Sequence, residues 1–164
     1  MSKEKIKIIE ISSRKDLKKF VDFSFTLYSK NPYWTPPIIK EEIDTLDKTK
    51  NPVFKNAEGH YFLALKDGVI VGRVAVIINW IEVKELKKKK VRFGWFDVID
   101  DINVTAILME KVHTIGIENQ MDFIEGPVGF SNMDKAGMLV EGFKESNTMI
   151  TWYNASYYHE HFKK

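Results

Sequence analysis

The sequence predicts an α/β (α+β) domain: a mixed, mostly antiparallel sheet with helices on both faces. Three observations predict it. Residues 60–65 and 70–78 are apolar, strand-forming runs separated by Asp67-Gly68, a strong two-residue turn signal because Gly tolerates the positive φ of a tight hairpin. Residues 91–98 and 123–125 read as strands joined through a helical stretch at 101–118, and such a crossover makes a parallel pair. Residues 13–30 carry apolar side chains at helical spacing directly after a first strand.

Taken in order, residues 5–11 alternate charged and β-branched side chains (Lys5-Ile6-Lys7-Ile8), which is a strand pattern. Ser13 is placed to N-cap the next helix, with Asp16 in its first turn. Leu17, Phe20, Val21, Leu27 and Tyr28 share one face, and Asn31-Pro32 stops the helix. Residues 31–37 (NPYWTPP) are irregular, because Pro removes donors and turns its predecessor away from helix. A shorter helix is expected from Ile38 to about Lys48, ended by Asn51-Pro52. The run from Ile70 to Ile78 is nearly continuous in apolar residues, so that strand is expected at the sheet centre. Residues 82–90 are charged and expected to be exposed. Asp100 or Asp101 caps a helix with Val104, Leu108, Val112 and Ile115 inward and Ile107 beside them. A long loop follows Gly126-Pro127. A late strand is expected at 148–153, then a terminal helix capped by Asn154 or Ser156.

Composition narrows the function classes. With 164 residues the chain reads as a single domain over 1–164, large enough to bury a core without staples. It has no Cys, which excludes disulfides, zinc-thiolate and iron–sulfur sites and a thiol nucleophile. The 25 Lys and Arg nearly balance 23 Asp and Glu, so charge alone does not argue for nucleic acid. The longest apolar run, residues 69–81, is interrupted by Gly72, Arg73 and Asn79, so no bilayer span and no membrane partner are expected. Met1–Lys5 holds no apolar leader segment, and a cytoplasmic setting is expected. His60 and His113 are isolated, and His159 and His161 would not share a helical face, so no metal site is expected.

The element order, with two helices after the first strand, resembles the GNAT N-acetyltransferase fold. The residues carrying the likeness are Asp67-Gly68-Val69-Ile70-Val71-Gly72-Arg73, similar to that superfamily's second hairpin, and the strand–helix–strand unit from Val91 to Gly126. A nearer resemblance is to a group of uncharacterised bacterial GNAT-like proteins. Its ordered motifs are Asn31 to Pro37, Asn51 to Phe54, Gly94 to Asp101, Gly126-Pro127, and Gly137 to Phe143. Members of that group are longer, and the chain resembles their N-terminal portion, ending where the fold's last strand follows.

The resemblance implies acetyl-CoA or another acyl-CoA as donor and a small-molecule amine or a peptide as acceptor. It is compatible with a homodimer. It places the donor along the core unit, giving Phe96, Val98, Asn103, Val104 and Asn154 as donor-binding candidates. Amide formation needs a neutral amine, so a proton acceptor is required. The resemblance assigns that role to Asp97, near the end of the fourth strand, with Glu125 as a second candidate. Tyr157 is the candidate proton donor to the leaving thiolate, with Tyr158 beside it, because the superfamily's usual Tyr position falls on Phe162. Tyr33 and Trp34 are candidate walls of a substrate pocket, and Asn132 lies in the segment expected to shape the groove.

One departure stands out. The superfamily's phosphate loop is Gly-rich with a cation, whereas residues 97–103 here read DVIDDIN. Three classes therefore stay open: an acyl-CoA-dependent N-acyltransferase, a non-catalytic GNAT-fold module, and a protein that binds acidic partners through Lys87–Lys90. Lys87–Lys90 is otherwise read as a solvated loop.

Overall fold

A computed structural model describes residues 5–163. Met1–Glu4, in the stretch read above as lacking a leader, and Lys164 lie outside the described residues. The elements are β1 (Lys7–Ile11), α1 (Arg14–Leu27), α2 (Ile39–Leu46), β2 (Ala57–Lys66), β3 (Val69–Asn79), α3 (Trp80–Lys84), β4 (Lys90–Val98), α4 (Ile102–Glu118), β5 (Phe123–Glu125) and α5 (Tyr158–His161). The sheet runs β1-β2-β3-β4-β5, antiparallel through β4 and parallel between β4 and β5.

The central hairpin forms as its turn dictates. Asp67 and Gly68 both take positive φ, 51° and 81°, the pattern of a turn whose twist matches the flanking strands. β3 is buried without a break from Val71 to Ile78, as expected of a central strand covered on both faces. Ser13 caps α1 by accepting the Asp16 N–H, and Asp101 caps α4 by accepting the Asn103 N–H. α1 and α2 bury Leu17, Phe20, Val21, Ile43 and Leu46 on one face of the sheet. α4 lays Val104, Leu108, Val112 and Ile115 on the other face, where Tyr158 of α5 joins it.

β4 departs from simple alternation, and this positions the site. Phe93 and Phe96 both face α4 and α5, although they are three residues apart. The register against β3 slips between Arg73 and Ala75, and Trp95 sits in the left-handed region at φ 46°. This is a β-bulge, which re-aims the side chains beyond it. Trp95 joins the core on the α1 side, and Asp97 meets Arg73 there. Gly94 is required beside the bulge: a Cβ there would lie 2.5 Å from the Val128 carbonyl oxygen.

Several expectations are corrected. No strand forms at 148–153. There Asn147 Nδ2 donates to the carbonyls of Thr148 and Thr151, and the Thr151 N–H returns to the Thr148 carbonyl at 3.3 Å. Such local bonds hold the backbone in a turn and compete with a sheet ladder. Neither Asn154 nor Ser156 caps the terminal helix, whose N-cap is Tyr157 without a side-chain bond. Asn154 instead accepts the Leu139 N–H at 2.7 Å and donates to the Leu139 carbonyl at 3.1 Å, binding two loop segments together. The segment 82–90 is not wholly exposed. The short helix α3, capped by Asn79, runs into the stretch, and Lys90, the last of the four lysines, is buried at the start of β4 against Glu125.

Candidate functional site

A buried polar cluster lies at the C-terminal end of β4. Asp97 and Arg73 are direct cross-strand partners, so the sheet register alone brings them together. Arg73 approaches Asp97 Oδ2 with Nε at 2.8 Å and Nη2 at 2.6 Å, and its Nη1 donates to the Phe20 carbonyl of α1 at 2.6 Å. Both side chains are more than nine-tenths buried. The other Asp97 oxygen, Oδ1, accepts from the Tyr28 hydroxyl at 2.7 Å. Tyr28 lies 3.2 Å from the Tyr158 hydroxyl, which accepts the Val98 N–H at 2.8 Å. Tyr157 donates to the Val98 carbonyl at 2.6 Å.

The electrostatics follow from burial. Removal from water pushes the Tyr28 and Tyr158 hydroxyls well above the usual phenol range, and the Asp97 charge adds to the shift. Tyr157 is raised as well, first by burial and then by Asp100 and Asp97. All three phenols therefore stay protonated near neutral pH and act as hydrogen-bond donors or acceptors, not as phenolates. Asp97 has its charge matched by Arg73 and both oxygens occupied, so its immediate structural effect is to orient Tyr28.

Two small cavities, about 30 and about 20 Å³, lie against Asp97 and Trp95. Tyr28 and Tyr153 separate the first of them from a larger open cleft of about 520 Å³ whose wall includes Tyr33, Phe143 and Tyr157. The loop 31–37 is packed firmly. Trp34 sets its ring 5.1 Å from Phe25 and 5.5 Å from Tyr28, and Asn147 pins Thr35 and the Tyr33 carbonyl. Asn31 donates to the Tyr153 hydroxyl at 2.6 Å, which in turn donates to the Phe143 carbonyl.

The structure thus brings together Asp97, Tyr157, Tyr33 and Trp34 from the sequence candidates, and adds Tyr28, Arg73, Tyr153 and Tyr158. Tyr28 carried a readable signal: a polar-tipped aromatic four residues after Ser24, on the buried face of α1. Phe96 and Val98 line the opposite face of β4, with Val104 packed against them from α4. Glu125 and Asn132 lie elsewhere. They gather around Arg92, five residues back along β4 and roughly 16 Å from Asp97 at strand spacing. Arg92 is fully buried, with Nη2 2.6 Å from both Glu82 and Asn132 and Nε 3.1 Å from Glu125. Burial pushes the Glu125 carboxyl up, but Lys90 and then Arg92 more than offset it and hold it below the usual range.

An acyl-CoA donor meets obstacles at the positions the sequence pattern suggests. The first free N–H groups of α4 face the chain's own acid: Asp101 accepts the Asn103 N–H at 3.0 Å, Asn103 Nδ2 also bonds it, and Asp100 is exposed alongside. An anion placed there would meet the exposed Asp100 and the Asp101 carboxylate, whose charge Lys66 already offsets from 3.5 Å, so this terminus is a poor site for a pyrophosphate. The Val98 N–H and carbonyl, polar groups at the end of β4, are held by Tyr158 and Tyr157.

The topology defines the class. An open sheet with two helices after its first strand, a bulged fourth strand and a parallel fifth is the GNAT acyl-CoA N-acyltransferase fold. It is shared with a predicted acetyltransferase from Clostridium acetobutylicum solved with acetyl-CoA, at a TM-score of 0.50 and 12% identity, covering 73% of this chain and 79% of that one. By sequence the chain is similar to Protein YghO of Escherichia coli (strain K12), 29% identical over 152 residues, covering 93% of this chain and 39% of YghO. It is also similar to the bacterial ceramide synthase of Caulobacter vibrioides (strain NA1000 / CB15N), 28% identical over 139 residues, covering 84% of this chain and 36% of that protein. The chain therefore spans less than two-fifths of the length of these two curated relatives. No family model matches it. Among the described residues no helix is long and apolar enough to cross a membrane.

Proposed function

We propose that the chain is an acyl-CoA-dependent N-acyltransferase domain acting on a long-chain amine. The observation that supports this most is the protonated tyrosine cluster at the end of the bulged β4, beside an aromatic cleft, within a GNAT fold. The acceptor class comes from the relative named as a ceramide synthase, since a ceramide is the amide of a long-chain amino alcohol.

In this reading the acceptor nitrogen, as the free amine, attacks the thioester carbonyl. The C–N bond forms, the C–S bond breaks with its electron pair on sulfur, and the proton lost by nitrogen ends on the thiol. Tyr157, a cleft residue whose hydroxyl is kept protonated and rests on the Val98 carbonyl, is the group proposed to turn from that carbonyl, give its proton to the departing sulfur and recover one from the acceptor nitrogen. Asp97, with Arg73, is proposed as the positioning residue that fixes Tyr28 and Tyr158, while Glu125 takes no part. A neutral phenol is a hydrogen-bond donor of fixed direction, and preorganised donors of this kind stabilise developing negative charge.

The test is thermal unfolding with acetyl-CoA and with palmitoyl-CoA. A ligand at about 100 times its Kd stabilises the folded state by about 2.7 kcal/mol, which raises the midpoint measurably. No rise with either donor at about 1 mM would remove the enzyme reading. The acids at the α4 N-terminus and the occupied Val98 groups favour a second reading, a GNAT-fold module without donor binding, and that result would support it.

A further inference from the structure

We infer that the cleft between the end of α1 and the segment 143–157 holds the phosphate groups of the acyl donor, in place of the α4 N-terminus. The inference rests on the acyltransferase reading and names where its donor is anchored. The sign of the site comes first. The cleft of about 520 Å³ has eleven lining residues, two of them lysines, Lys30 and Lys144, and none acidic. In a chain with nearly equal numbers of acids and bases the lining is therefore basic, although Glu141 and Glu145 are exposed beside Lys144 just outside it.

The two lysines are also uncommitted. Other basic side chains close to the sheet are tied to carboxylates, Arg73 to Asp97 and Lys135 to Glu42 among them. Among the described residues Lys30 and Lys144 make no hydrogen bond and no ion pair, and each is exposed at the rim. Neither therefore loses an existing partner when it meets an anion.

The walls suit the remainder of such a ligand. Tyr33 and Tyr157 offer aromatic surface within the cleft, and aromatic side chains stack readily on a planar base. Tyr28 and Tyr153 line both this cleft and the small cavity against Asp97 and Trp95. A ligand with its phosphates at the lysines can thus extend past these tyrosines toward the β4 bulge. At the start of α4 stand Asp100 and Asp101 instead, the second with Lys66 3.5 Å away.

Calorimetric titration of coenzyme A into the full chain tests the placement. Lys30→Ala/Lys144→Ala is expected to weaken binding at least about tenfold at about 50 mM salt, and to flatten the fall in affinity between about 50 and about 200 mM. Lys30→Arg/Lys144→Arg is expected to retain wild-type affinity within about threefold, because the charge is kept. Both lysines are exposed, so the thermal midpoint of the free protein should be unchanged, which separates lost binding from lost folding. A smaller loss in the alanine variant, with wild-type binding intact, overturns the placement alone. A large gain in affinity from Asp100→Asn/Asp101→Asn without any loss from the lysine changes also overturns it. Absence of coenzyme A binding to the wild type overturns the acyltransferase reading, and the placement with it.

Discussion

Replacing Arg73 by Met would show how much the polar cluster at the end of β4 contributes to the fold. Met keeps the unbranched stem that packs near the Phe20 ring, over which the guanidinium now sits at 5.1 Å. It removes the charge facing Asp97. Asp97 would then remain buried with only the Tyr28 hydroxyl as donor. Removing one partner of a buried ion pair costs about 3–5 kcal/mol, because the other charge is left uncompensated. The pair here is more than nine-tenths buried on both sides, so solvent screening gives little relief. The assay is urea unfolding followed by tryptophan fluorescence. With an m value of about 2 kcal/mol/M, the midpoint should fall by about 1.5–2.5 M. The double variant Arg73→Met/Asp97→Leu should recover a large part of that loss, because neither charge is then stranded. A fall of less than about 0.5 M in the single variant, or a double variant as unstable as the sum of the singles, would refute the claim that the two residues act as a pair.

Three further outcomes follow from the same structure. Tyr28→Phe deletes the donor to Asp97 Oδ1 and is expected to cost about 1.5–3 kcal/mol, read by the same unfolding assay; a neutral result would mean that water replaces the hydroxyl freely. Gly94→Ala places a methyl 2.5 Å from the Val128 carbonyl and should destabilise by about 1–3 kcal/mol, and a neutral result would show that the bulge can relax. Acid should destabilise the chain. Lys40 and then Arg14 hold the Asp44 carboxyl at about 2, and at Asp101 the Asn103 hydrogen bonds and the Lys66 charge outweigh burial. Carboxylates with folded values below their unfolded ones stabilise fully above the unfolded value, and that contribution disappears as pH falls through the folded one. The thermal midpoint should therefore fall from pH 5 towards pH 2, less steeply in high salt for exposed Asp44, and a midpoint that rises on acidification would contradict this.

The parts of the fold legible in the sequence are those set by local chemistry. Asp67-Gly68 dictates its hairpin because only a few residues take positive φ at both central positions. Ser13 and Asp101 announce their helices because a short oxygen-bearing side chain satisfies a first-turn N–H. The inward face of α4 could be read from Val104, Leu108, Val112 and Ile115 because their spacing matches the helical period. The β4 bulge was not legible: nothing in the residues 93–96 separates a bulged strand from a straight one, and Trp95 pays for its unusual φ through packing against Phe130 and Trp152. The late strand failed because Thr148 and Thr151 favour strands by propensity but here bond to the local backbone.

The candidate site was legible by half. Asp97 and Tyr157 were named through the family resemblance, whereas Arg73, which meets Asp97 inside the sheet, was not among the candidates. Tyr28 was placed on the inner face of its helix but not in the site, because its partners lie 69 and 130 residues away in sequence and only the folded sheet brings them within a hydrogen bond. Glu125 escaped correct placement for the same reason, since Lys90 and Arg92 claim it at the far end of β4.

The most direct measurement is release of free coenzyme A thiol from palmitoyl-CoA in the presence and absence of a long-chain amino alcohol such as sphinganine. The chain has no Cys, so every thiol detected belongs to the donor. N-acyltransferase chemistry predicts thiol release that requires the amine, an amide product of the matching mass, and a rate cut by about 10²–10³ in Tyr157→Phe. Thiol release that is the same with and without amine, or none above the spontaneous hydrolysis of the thioester, would contradict it.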